Sequence, residues 1–420
     1  MHMMLRLLCL LIPGTILSAQ TASLQMLHNA ALRGDEKTVE SLLSAGLSPN
    51  TADRLGQTPL SFAITSGFPR MVDLLLTWKA DPNAPMTGGN ARSLTPLQYA
   101  AEHGNLQVAR SLIAAGARVN EKGGAGRTPL HFALVGRFDM MRLLIEKGAD
   151  VNLRDNDGAS PLDDAVWGGS LDAAAMLLAH GAHLDEPETM TGATPLNEAA
   201  FRGHTELLRY LLRFRPDVTI ADNRGFTPLQ NAIRLGREDS ALLLLDAEPA
   251  AQRTSQFLGN TMEAAIAKDQ ASLADALLRA GLPVNQPLPS GYTALDAAAF
   301  AGASKSVRIL LAIGADPNAP GKDGSTPIED AAAKGFDSIV TILLDSGARV
   351  NEANTSTGAT ALYSAASSGN LTTAKLLLDR GANPSSCGVN GKTPYQIAVA
   401  NDHAEVAAEI RTRGGLERCQ

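Results

Sequence analysis

Aromatic residues are scarce in this chain: 10 Phe, 2 Trp and 5 Tyr among 420 residues, against a hydrophobic content of 45%. A core with so few rings is built mainly from alanine and leucine, the material of closely packed helices. A basic excess is also missing. The 36 Lys and Arg are outnumbered by 43 Asp and Glu, and the formal charge is -7, spread along the chain. No basic stripe is available for nucleic acid or an anionic membrane. Apart from the first residues no apolar run stands out, and none is long enough to cross a bilayer as a helix. Neither G-x-S-x-G nor the phosphate-cradling G-x-x-x-x-G-K-[ST] occurs. Cysteine is rare as well, at three residues.

The N-terminus has the layout of an export signal. Arg6 and Arg33 are the only formally charged residues before Asp35, and Leu7 to Leu17 form a short apolar run interrupted by Pro13 and Gly14. The run suits a signal peptide rather than a spanning helix. Leu17-Ser18-Ala19 is the expected cleavage site, with Gln20 as the first mature residue. Removal of residues 1–19 takes away Arg6 alone, so the charge moves from -7 to -8. The competing reading is a hydrophobic capping helix. Cys9 lacks the small residues that precede a lipidated cysteine. The chain is therefore expected in the periplasm or outside the cell, with no membrane span once the signal is gone.

What is abundant is repetition. A Thr-Pro-Leu tripeptide or a close variant starts at Thr58, Thr95, Thr128, Ser160, Thr194, Thr227, Thr293, Thr326, Thr360 and Thr393. The steps are 37, 33, 32, 34, 33, 66 (two repeats), 33, 34 and 33. Thr or Ser caps a helix by accepting a bond from a free backbone N–H. Pro in the first turn brings the right φ and lacks only an N–H that would be unpaired. A second mark follows at the same period: two apolar residues, then Gly-Ala, as in Leu112-Ile113 with Gly116-Ala117 and Leu343-Leu344 with Gly347-Ala348. Glycine there supplies the left-handed residue that ends a helix. Ala pairs such as Ala199-Ala200 lie between the marks and let two helices approach closely. Each unit thus reads as short helix, turn, longer helix and an extended polar finger.

This pattern resembles the ankyrin repeat. Thr128-Pro129-Leu130-His131-Phe132-Ala133 and Lys147-Gly148-Ala149-Asp150-Val151-Asn152 carry the likeness most fully, and it extends over roughly residues 21–415. The implied fold is an all-α solenoid of about twelve stacked hairpins with β-hairpin-like fingers. The step of 37 places an insertion at about Asn83–Arg92. The eighth unit is weakest: it lacks Thr-Pro, and Asp269 stands where Gly is usual. Residues 247–261 read as an irregular joint, either a bend or a frayed repeat. The expected organisation is a signal at 1–19, repeats one to seven over 20–249, repeats eight to twelve over 250–415, and a tail at 416–420. The last unit has Ile410-Arg411 in place of Leu-Leu, as suits a terminal repeat with one wet face.

At helix layers about 10 Å apart, twelve units span on the order of 100 Å. Such a surface suits a protein partner, and the resemblance implies binding through the finger tips and the inner face of the first helices. By register, seven residues after each cap stand Trp167, Phe201, Arg234 and Phe300; just before two caps stand Phe226 and Tyr292; Arg202 and Arg224 are neighbours on the same face. Rigid aromatics and arginine dominate interface energies, so these eight residues form the expected contact patch. The alternative is that they cover the core. The expected role is that of a monomeric adaptor, inhibitor or immunity-type protein with a protein partner and no nucleic acid. The alternatives are a structural spacer and a secreted effector acting on host proteins. No enzyme activity, metal or cofactor is expected. His180 and His183, followed by Asp185 and Glu186, run into a finger and diverge, whereas zinc needs three or four converging ligands. His28 and His131 fall at the family's structural histidine position. Lys122 to Gly126 is a glycine-rich finger tip. Cys387 and Cys419, at nearly equivalent points 32 residues apart, form a possible disulfide in an oxidising compartment. Asn354-Thr355-Ser356 and Asn370-Leu371-Thr372 match the glycosylation acceptor pattern.

Overall fold

A computed structural model describes residues 12–87, 93–134, 136–388 and 391–415, with the side chains of 12–21 and 87 left undescribed. Among the described residues the chain is helical, with 24 α-helices arranged as twelve antiparallel hairpins. It divides into two compact units, Met1–Arg224 and Gly225–Gln420.

The first unit holds six hairpins: Ile12–Arg33 with Glu36–Ser44, Pro59–Thr65 with Pro69–Thr77, Pro96–His103 with Leu106–Ala114, Pro129–Phe132 with Phe138–Glu146, Pro161–Trp167 with Leu171–Ala179, and Pro195–Arg202 with Thr205–Leu212. The capping logic acts as its chemistry requires. The Thr95 hydroxyl accepts from the Gln98 N–H at 3.2 Å while Gln98 Oε1 accepts from the Thr95 N–H at 2.8 Å. The core is a ladder of leucines and alanines: Leu97, Ala100, Ala101 and Leu112 are each 1% exposed or less. First helices pack on first helices of the next hairpin, which the Ala pairs permit. The insertion carries a two-stranded antiparallel ladder, Met86 opposite Leu94 and Thr87 opposite Ser93; residues 88–92 lie outside the described residues.

The second unit holds the other six: Pro228–Arg234 with Glu238–Ala247, Ser255–Ile266 with Ala271–Arg279, Ala294–Ala301 with Ser304–Ala312, Pro327–Lys334 with Asp337–Asp345, Ala361–Ser368 with Leu371–Asp379, and Pro394–Ala400 with Ala404–Thr412. Within residues 247–261 the chain leaves its helix through an extended Glu248, makes a short 3-10 turn at Ala250–Gln252, and re-enters at Ser255 under a Thr254 cap. Asp269 does take the glycine conformation, with φ of 49°. Its carboxylate accepts from the Ser306 N–H at 2.8 Å, which ties its repeat to the next. At the end of the array Ile410 is fully buried while Arg411 is exposed.

Of the expected signal, residues 1–11, with Arg6 and Cys9, lie outside the described residues. Residues 12–19 are the first turns of helix Ile12–Arg33. The tail at 416–420, with Cys419, also lies outside them. Cys387 is disulfide-bonded.

Candidate protein-interaction face

Asparagines in the fingers string neighbouring repeats together before any partner is involved. Asn120 Nδ2 donates to the Gly148 carbonyl at 3.0 Å and its Oδ1 accepts from the Asp150 N–H at 2.9 Å, and Asn152 and Asn318 repeat the pattern one repeat on each time.

In the first unit Trp167 ends helix Pro161–Trp167 and is 61% exposed. The Arg202 guanidinium, from the following hairpin, sits 4.4 Å from its ring centroid and is held by an ion pair to Glu198. Phe201, half-buried, lies under the Arg224 guanidinium at 5.4 Å. Arg224 in turn is paired at 3.0 Å with the buried Asp222. The fold thus brings Trp167, Phe201, Arg202 and Arg224 together as two stacked aromatic–arginine pairs. Stacking on a desolvated ring face fixes a guanidinium that would otherwise sample many rotamers.

In the second unit Phe226 is half-buried beneath Arg234, whose guanidinium lies 4.9 Å from the ring and 3.3 Å from Asn231. Tyr292 and Phe300 lie further along and share a cleft of about 180 Å³ with Ala297, Asp296, Asp323 and Asp330. Lys322 covers Tyr292 at 4.9 Å, and Lys334 covers Phe300 at 4.3 Å. The Tyr292 hydroxyl donates to Asp323 at 3.3 Å. Of the residues picked by register, Trp167 and Phe300 are exposed, whereas Phe201, Phe226, Tyr292 and Arg234 are half-buried.

Sequence reasoning missed the carboxylates of that cleft. Burial, and then the charge of Asp330, push Asp296 up to about 8. Burial pushes Asp330 up to about 6. The protonated form of Asp296 is therefore the favoured one beside Asp330. The available signal was spacing: Asp296 and Asp330 are one repeat apart, 34 residues. Also unforeseen was a cleft of about 250 Å³ in the first unit, between the inserted ladder and the glycine-rich finger, lined by Ser93, Leu94, Gly123, Gly124 and Arg127.

The four histidines singled out by the sequence, His28, His131, His180 and His183, have structural partners. His131 Nδ1 accepts from the Thr128 N–H at 3.1 Å, so Nε2 carries the proton and donates to the Ala159 carbonyl at 3.2 Å. Burial drives its pKa down to about 4, which keeps it neutral. His28 Nε2 lies 2.8 Å from the Thr51 carbonyl. His180 turns back to the Met176 carbonyl, His183 pairs with Glu186, and Asp185 accepts from the Asp217 N–H. The acceptor-pattern asparagines are engaged too. Asn354 is buried and its amide donates to Glu329; Asn370 donates to the carbonyls of Ala332 and Ala333. In the folded chain both side-chain nitrogens are committed to inter-repeat bonds.

Comparison with known proteins agrees with this architecture. The family model described as ankyrin repeats (3 copies) matches residues 5–86, 27–123, 97–188, 184–254, 261–354 and 330–414. Cyclin-dependent kinase 4 inhibitor B of Bos taurus is 37% identical over 108 residues, 26% of this chain and 79% of the relative. Ankyrin repeat protein nuc-2 of Neurospora crassa is 29% identical over 223 residues, 53% of this chain and 21% of the relative. Among solved structures, the ankyrin repeat domain of Bcl-3 is 31% identical at a TM-score of 0.47, covering 53% of this chain and 96% of that one. Repeats of this kind are protein-binding modules. With matches running along almost its whole length, the chain belongs to the ankyrin-repeat family.

Proposed function

We propose that this chain is an exported ankyrin-repeat protein that captures another protein, as an adaptor, inhibitor or immunity-type factor, through the aromatic and basic residues of its inner face. The observation that carries the reading is Trp167: a large ring 61% exposed, with Arg202 already stacked on it. Large apolar side chains left open beside ordered arginines are the anchors from which interfaces draw most of their energy. A spacer needs only the stacked core and has no use for them. Relatives named as cyclin-dependent kinase inhibitors support an inhibitory role for a chain of this family. In a pull-down from the compartment of origin, the Trp167→Ala/Phe201→Ala double variant loses its prey, and the Trp167→Ala single variant, at the exposed ring, weakens capture while keeping its melting temperature within about 2–4 °C of wild type, since surface changes shift stability little. Undiminished capture rules the patch out.

Export rests on Arg6, the Leu7–Leu17 run and Ser18-Ala19. The buried residues Leu27, His28, Ala30 and Ala31 lie beyond Ala19, so cleavage leaves them in place. The intact mass of protein from its native host begins at Gln20 if the reading holds; a chain that retains Met1 to Ala19 ends it.

A further inference from the structure

Asp296 is 0% exposed, and neither of its carboxylate oxygens meets a hydrogen-bond donor. Buried polar groups are nearly always partnered, and an exception calls for a reason. Asp296 belongs to the cleft of about 180 Å³ in the second unit, between Tyr292 and Phe300. The carboxylates of this cleft are graded by exposure: Asp323 exposed, Asp330 half-buried, Asp296 buried. The Gly321 backbone packs closely on the Asp296 carboxylate and the Tyr292 ring, where a Cβ would collide with both.

No cationic side chain among the described residues bonds the Asp296 oxygens. The two lysines of the cleft sit over the rings, and Lys322 is anchored outward by a 2.7 Å bond to the Ser290 carbonyl. Neither satisfies the Asp296 oxygens. The lysines do show that both rings attract an ammonium group. No three His, Cys, Asp or Glu side chains among the described residues are placed to hold a metal ion, whereas aromatic walls with charge at one end suit an organic cation.

We propose that this cleft receives the cationic side chain of a lysine or arginine on the partner protein, with Asp296, Asp323 and Asp330 taking the charge and Tyr292 and Phe300 flanking the stem. The proposal rests on the reading of the chain as a protein-binding solenoid, and commits the second unit to a basic contact on the partner.

The test uses the full chain labelled at alanine methyl groups, with the Ala297 resonance as reporter. N-acetyl-arginine amide and N-acetyl-lysine amide are the probes, and N-acetyl-citrulline amide is the neutral control. At least one cation shifts Ala297 saturably and citrulline does not. Asp296→Asn weakens that binding about tenfold or more, and Phe300→Leu, at an exposed ring, weakens it while leaving the fold intact. The Trp167→Ala/Phe201→Ala variant binds the probes as wild type does. No saturable shift with either cation, an equal shift with citrulline, or undiminished binding by Asp296→Asn overturns the proposal. The probes require no partner, so this result and the capture result fail independently.

Discussion

Asp163 in the first unit and Asp296 in the second stand at the same point of their repeats, three residues after the capping Ser160 or Thr293. Around them the register repeats. Glu198 corresponds to Asp330, Arg202 to Lys334 and Trp167 to Phe300. In the first unit these groups satisfy one another. Asp163 accepts from the Ser160 N–H at 2.8 Å and from its hydroxyl at 2.7 Å, and Glu198 pairs with Arg202 over Trp167. In the second unit Asp296 forgoes the cap and faces Asp330, and no arginine stands by. One scaffold position thus serves as structure in one repeat and as an open valence in another. The fold fixes where the carboxylate is, and the neighbours decide whether it is spent on the helix cap.

The strongest check on this comparison asks whether the two surroundings are otherwise equivalent. Leu162 and Leu295 each lie one residue before the aspartate and are 0% and 1% exposed. Leu162→Ala and Leu295→Ala should each cost about 2–5 kcal/mol, as buried leucine truncations do. The two should agree within about 1 kcal/mol in urea unfolding followed by circular dichroism, because each hairpin leans only on its neighbours. A large disparity would mean that the aspartates sit in different cores, and the comparison would lose its control.

Much of this was open to reading from the sequence. The caps, the Ala pairs and the glycine stops are short-range signals, each tied to one backbone requirement, and together they place the hairpins. Asp269 in the left-handed conformation was visible as a departure from glycine, although its bond to Ser306 was not. The eighth repeat was harder to place, because Thr254-Ser255 caps without proline and the helix it starts runs 12 residues. At the candidate face, register located the rings and arginines, since a fixed period carries a side chain to the same side each time. It did not reveal the cleft. An acid at the third helical position reads as a capping box, as Asp163 is, and only the facing of Asp296 and Asp330 across repeats shows otherwise. The tertiary bonds of Asn354 and Asn370 were equally hidden from the sequence, which shows only their local acceptor pattern.

The smaller effect, and the sharper one, lies in the aspartates themselves. Asp163→Ala removes the acceptor of two buried hydrogen bonds and should cost about 1–2 kcal/mol. Asp296→Asn should do the reverse at neutral to alkaline pH, because the folded chain no longer has to hold a proton on, or bury the charge of, a carboxyl that no donor compensates. The sign follows from proton linkage. Burial, reinforced by Asp330, raises Asp296 from 3.8 to about 8, so the folded chain binds a proton that the unfolded chain has released. Stability from this group is therefore full below about pH 4 and declines as pH rises towards 8. Asp163 is raised by burial only to about 6, since its bonds from Ser160 hold it down, and its decline ends sooner. Asp323, Glu329, Asp330, Tyr292, Lys322 and Lys334 surround Asp296 and are unchanged in the variant, so the difference between Asp296→Asn and wild type isolates one group. Melting curves at pH 5 and pH 8.5 should show a gain for Asp296→Asn that is larger at pH 8.5, by about 1 kcal/mol or more. A loss of stability at both pH values would mean that the carboxylate holds the repeat together as Asp163 does. A gain at pH 8.5 joined to weakened cation binding would mark Asp296 as a group kept for its ligand at the expense of the fold.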